Sequence, residues 1–133
     1  MRDKQRVDTR PLSPHLQIYK PQITSVLSIS HRISGVFLSL GLLAMTIFIF
    51  LLAIGEDSYL IWKLFSNSII GEIILFGWGF ALSFHMFNGI RHLFWDYDIG
   101  LSLAASKWSG IVVCVATLTT SIVYGIILLG LII

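Results

Sequence analysis

The chain has 133 residues, room for one domain, and its 56% hydrophobic and 12% charged residues lie far from the soluble balance of about 25% charged. A net charge of +2, thinly scattered, excludes nucleic acid as a partner, and a single cysteine, Cys114, excludes a disulfide or a thiol-rich metal site within the chain. These numbers describe an integral membrane protein.

Residues 1–27 read as a polar arm, extended or irregular to about Thr24 and marked by Pro11, Pro14 and Pro21. It holds no apolar run that would make a cleavable signal, so insertion is expected to begin with the first spanning helix. Three stretches then lack Asp, Glu, Lys and Arg: Ile33 to Gly55, Ile73 to Ile90 and Trp108 to Ile133. Each is close to the ~20 residues that a helix needs to cross ~30 Å of hydrocarbon. The sequence therefore predicts an all-α membrane protein with three transmembrane helices, over about 28–54, 69–93 and 107–132. The connectors "GEDSYLIWKLFSNS" and "WDYDIGLSLAASK" are too short for a folded domain. Their Tyr59, Trp62, Phe65, Trp95, Tyr97 and Trp108 suit the membrane interface.

Basic residues set the expected orientation. Arg2, Lys4, Arg6, Arg10, Lys20 and Arg32 precede or open the first span, and Arg91 and Lys107 return to the same side. Only Lys63 lies on the other, beside Glu56, Asp57 and Glu72. The excess of positive charge predicts an inside N-terminus and an outside C-terminus.

Polar groups at membrane depth are costly, so their clusters are the candidate sites. In "SFHMFNGIRHLFWD" (83–96), His85, Asn88, Gly89 and His92 share one helical face. His85 and His92 stand two turns apart, roughly 10 Å, too far to hold one metal ion together. Ala81 and Gly89, one turn either side of His85, are small. That spacing leaves two readings open: a haem ligated at His85, or a histidine hydrogen-bonded to a neighbouring helix with Gly89 serving helix packing.

The second cluster is "SVLSISHRISG" (25–35), in which Ser28 and Arg32 share a face and His31 and Gly35 an adjacent one. A hydroxyl and a guanidinium can both donate to one carbonyl or carboxylate oxygen, as on a quinone or a haem propionate. The bland alternative is an arginine snorkelling to the headgroups. By depth, His31, Arg32, Arg91 and His92 could form a cationic collar above His85.

Three ordered motifs carry a family resemblance: "RPLSPHLQIY" at 10–19, "SxxHRxSG" at 28–35 and "HxxxGIRHLxWD" at 85–96. Together they span nearly the whole chain, which resembles the larger cytochrome b membrane-anchor subunit of succinate dehydrogenase, respiratory complex II. The resemblance implies haem b with His85 as one axial iron ligand and the other supplied by the smaller anchor subunit. It implies Ser28 and Arg32 at the ubiquinone pocket, with His31, Arg32 and His92 near the haem propionates. Ser25 and Ser30 lie close by, so Ser28 is singled out by its distance from Arg32. The implied partners are the smaller anchor, the iron-sulfur subunit, the flavoprotein subunit, ubiquinone and lipid, with no catalytic residue in this chain. A bacterial inner membrane, or a mitochondrial inner membrane if the chain is organelle-encoded, is the expected location.

Two other readings compete. An anchor of a related quinone-linked complex, such as a fumarate reductase, would share this topology. A small helical transporter or channel subunit needs ionisable groups at several depths, and the third span offers only Thr117, Thr119, Thr120, Ser121 and Tyr124.

Overall fold

The computed structural model describes residues 20–130. Among them four helices follow in order: α1 (Ile23–Ile54), α2 (Glu56–Ser66), α3 (Ile69–Asp96) and α4 (Leu103–Leu128), with no strand. Three of these, α1, α3 and α4, are long and apolar enough to cross a membrane. The all-α expectation and the three spans hold. The arm motif at 10–19 and the final residues of the third expected span fall outside the described residues.

The first helix begins at Ile23, earlier than the expected 28, because Ile23 and Leu27 already point inward. Leu27 is 4% exposed, with its Cδ1 lying where a Cβ on Gly110 of α4 would have to go. At 32 residues α1 is about 48 Å long, roughly three turns more than the hydrocarbon core requires. That surplus is the length that carries the polar motif at 28–35.

The first connector is mostly helical. Gly55, at φ 138° and ψ −179°, breaks the chain in a region only glycine enters freely, and α2 starts at once. Glu56 and Asp57 in its first turn and Lys63 in its last complement the helix dipole. The helix folds back onto α1, where Phe48 meets Trp62 and Tyr59 with ring centroids 5.0 and 6.3 Å apart. A serine cap then restarts the chain: Ser68 Oγ accepts from Gly71 N–H at 3.1 Å.

The bundle's centre is the seam between α3 and α4. Along α4, Ser106, Gly110, Val113, Thr117 and Ser121 form the buried stripe, small or hydroxylic at three- and four-residue spacing. That composition lets membrane helices approach closely. At the far end Tyr124 lies flat over Gly79, and its hydroxyl donates to Leu75 O at 3.3 Å. Large apolar side chains, among them Ile33, Val36 and Leu40 of α1, face outward instead, as lipid or further protein chains demand.

Candidate functional site

His85, midway along α3, meets a single turn of α1. Its Nδ1 lies 3.0 Å from Ser34 Oγ and 3.2 Å from the His31 carbonyl oxygen. Ser34 is itself 8% exposed, and its hydroxyl donates to that same carbonyl at 2.8 Å. A carbonyl can only accept, so the proton of a neutral His85 ring belongs on Nδ1. The Ser34 proton is engaged by His31 O, so Oγ accepts from Nδ1–H. The ring's Nε2 is then left with a free lone pair and makes no hydrogen bond to a described residue.

Two more contacts fix the ring. The His31 imidazole stacks on its face, with centroids 3.9 Å apart and planes 12° from parallel. The Cε1 of His85 passes so close to Gly35 that an added Cβ there would sit 3.1 Å away. The turn His31 to Gly35 thus touches the ring on its face, along its edge and at Nδ1.

His92, two turns further along α3, joins this group with its ring centroid 5.4 Å from His31, and Trp95 meets it edge-on at 5.1 Å. The structure therefore brings His31, His85 and His92 together. Arg32 and Ser28 stand apart from them. Arg32 is exposed on the outer face of α1 beside exposed Ile29 and Val36, and Ser28, half-buried, shares that side.

Arg91 leaves the expected collar altogether. It is 4% exposed and turns into the seam with α4. There Nε donates to Ser109 Oγ at 3.0 Å, Nη1 to Asn88 Oδ1 at 3.3 Å, and Nη2 to the carbonyl and hydroxyl oxygens of Ser106 at 3.1 and 3.2 Å. The guanidinium also lies 4.0 Å from the centre of the Trp95 ring. The reason is its helical phase: Arg91 lies far round the helix from His85 and faces α4.

The two small neighbours of His85 differ in their surroundings. Ala81 is buried where α1, α3 and α4 meet, and Gly89 faces the His31 ring, which an added Cβ would meet at 3.9 Å. Ser34 is the residue that sequence reasoning passed over while weighing Ser25, Ser28 and Ser30. Its signal was its place within "SxxHRxSG", one turn from His31 and beside Gly35. Ser34 also lines a groove of about 550 Å³ between α1, α3 and α4, with Leu27, Phe84, Cys114 and Thr117.

Residues 6–124 match the family model described as succinate dehydrogenase/fumarate reductase transmembrane subunit. The succinate dehydrogenase cytochrome b556 subunit of Rickettsia bellii is 45% identical over 109 residues, covering 79% of this chain and 83% of that one. The cytochrome b560 subunit of the liverwort Marchantia polymorpha is 42% identical over 118 residues, covering 77% and 79%. The human mitochondrial cytochrome b560 subunit is 38% identical over 116 residues, covering 84% and 68%. The motifs that hold the histidine group therefore lie within the matched region, and the chain belongs to the family of succinate dehydrogenase/fumarate reductase transmembrane subunits.

Proposed function

We propose that this chain is the haem b-binding anchor of a succinate:ubiquinone oxidoreductase, with His85 Nε2 as one axial iron ligand. The observation that carries the reading is the pair of oxygens, Ser34 Oγ and His31 O, within hydrogen-bond distance of His85 Nδ1. Ser34 and His31 O hold Nδ1–H, so the opposite nitrogen presents the lone pair that iron requires. Relatives named as cytochrome b subunits of succinate dehydrogenase support a haem as the group bound. Haem b held there supplies a one-electron redox centre at membrane depth. The other iron ligand would come from the smaller anchor subunit. His92, toward the end of α3, is suited to receive a propionate, and His31, stacked on the ligand, lies near it.

Arg32, with half-buried Ser28 on its flank, points away from this chain's own bundle, so the ubiquinone pocket they serve is completed by other subunits. Arg32, free of carboxylate partners among the described residues, is suited to donate to a quinone oxygen. With the N-terminus inside, the surplus turns of α1 meet the iron-sulfur subunit, which carries the flavoprotein. Succinate oxidation belongs to that soluble pair, and the anchor binds, orients and shields from water.

The test is the reduced-minus-oxidised spectrum of the purified complex. With His85→Ala the b-type bands should be lost or displaced while the subunits still co-purify. An unchanged b-type spectrum would remove the ligand role from His85.

A further inference from the structure

We propose that Ser34 is a positioning residue for the His85 imidazole, setting its ring orientation and its electron donation to iron; this rests on the haem reading above. An unrestrained imidazole rotates about its Cβ–Cγ bond and can carry its proton on either nitrogen. Ligation at fixed strength needs both freedoms removed. Ser34, beside the His31 carbonyl and ring, acts on both. Its Oγ makes the shorter of the two hydrogen bonds to Nδ1, 3.0 against 3.2 Å. Its own proton is tied to His31 O one turn back, at 2.8 Å, so the oxygen is held as an acceptor and cannot swing round to donate.

The arrangement has the form of a second layer around a metal ligand: the ligating ring donates its far N–H to an oxygen that is itself anchored. An oxygen accepting from Nδ1–H increases the electron density on the ring, strengthens its bond to ferric iron and lowers the reduction potential. Loss of that oxygen leaves the His31 carbonyl as the only acceptor and lets the ring pivot toward it.

A packing role makes a different prediction. If Ser34 were there only because it is small, alanine would serve as well. Threonine keeps the hydroxyl, can make the same bond to the carbonyl three residues back, and has the groove that Ser34 lines to receive its methyl group.

The experiment uses the whole complex purified from membranes in detergent, with Ser34→Ala, Ser34→Thr and His85→Ala beside the unaltered protein. Haem content is read by pyridine haemochrome, ring orientation by the largest g-value of the ferric haem in electron paramagnetic resonance, and donor strength by the midpoint potential. Succinate oxidation with a soluble acceptor, which does not pass through the haem, reports assembly. Ser34→Ala should displace the g-value and raise the potential, with haem held roughly 10-fold more weakly or worse, while Ser34→Thr stays near the unaltered protein. Haem loss in Ser34→Ala with retention in Ser34→Thr also supports the role. An unchanged g-value and potential in Ser34→Ala overturns it, as does equal displacement or equal haem loss in both variants. Failure of the haem reading is seen separately, as an unaltered spectrum in His85→Ala.

Discussion

The imidazoles of His31 and His85 lie face to face across the α1–α3 boundary, with centroids 3.9 Å apart. The ring contacts continue, tilted at His92 and edge-on at Trp95, and the guanidinium of Arg91 covers the Trp95 ring. A column of rings therefore links the proposed iron ligand to the seam that holds α4. Its members come from two short motifs far apart in sequence, and each ring limits the movement of the next.

That column makes His31 chiefly a packing partner of His85. His31 Nδ1 is buried without a hydrogen-bond partner among the described residues, so a phenyl ring in its place forfeits no bond there. His31→Ala should cost the complex about 0.5–1.5 kcal/mol of stability, the worth of an aromatic pair, and His31→Phe should recover most of it. Thermal denaturation of the detergent-solubilised complex is the measurement. If phenylalanine is as damaging as alanine, the stack is not what His31 contributes.

Arg91 is expected to be the most sensitive cation in the chain. Its four hydrogen bonds reach Asn88, Ser106 and Ser109, all neutral, and removing the guanidinium strands those oxygens in the seam. Arg91→Ala should cost roughly 3 kcal/mol or more. Arg91→Lys should recover little, since an ammonium cannot span three partners with a planar fork. Limited proteolysis of the α3–α4 connector, together with the melting temperature, would check this. A lysine variant as stable as the unaltered protein would show that charge alone suffices.

Hydropathy made the three spans legible, because long uncharged runs leave a helix few alternatives at membrane depth. The short helix α2 was not, although Glu56, Asp57 and Lys63 carried its dipole signature; eleven residues with mixed polarity look the same as an interfacial loop. His85 stood out in the sequence as a candidate ligand, because a lone imidazole in an apolar run needs a partner. That Arg91 lies off the His85 face was legible from helical phase; Ser34, and the seam with α4 that Arg91 enters, were not, because both depend on how α1 and α4 rotate about their axes relative to α3. Sequence spacing fixes which residues share a face, and the packing of small residues such as Gly35 and Gly110 decides which face meets which helix.

Arg32 should separate two activities that share a complex. It is exposed on the outer face of α1, so no packing among the described residues depends on it. Arg32→Ala should leave succinate oxidation with a soluble acceptor near normal and reduce electron transfer to ubiquinone by 10-fold or more, the order expected for losing a charge-assisted hydrogen bond. Paired assays on one preparation would check it. Equal loss of both activities would place Arg32 in subunit docking and take it out of the quinone pocket.

The distribution of charge yields a prediction about topology that is independent of haem. Eight of the nine Lys and Arg residues fall on one side of the three spans, and Lys63 alone falls on the other, in α2. The rule that cytoplasmic flanks carry the excess puts Lys20 inside and Lys63 outside. Cys114, half-buried in α4, is the only native thiol, so Cys114→Ser gives a clean background for single cysteines. In intact cells or right-side-out vesicles, a membrane-impermeant maleimide should label Lys63→Cys and spare Lys20→Cys, and inverted vesicles should reverse the pattern. The opposite labelling would turn the chain over and set the turns of α1 that carry Ser28 and Arg32 on the wrong side to meet an iron-sulfur subunit inside.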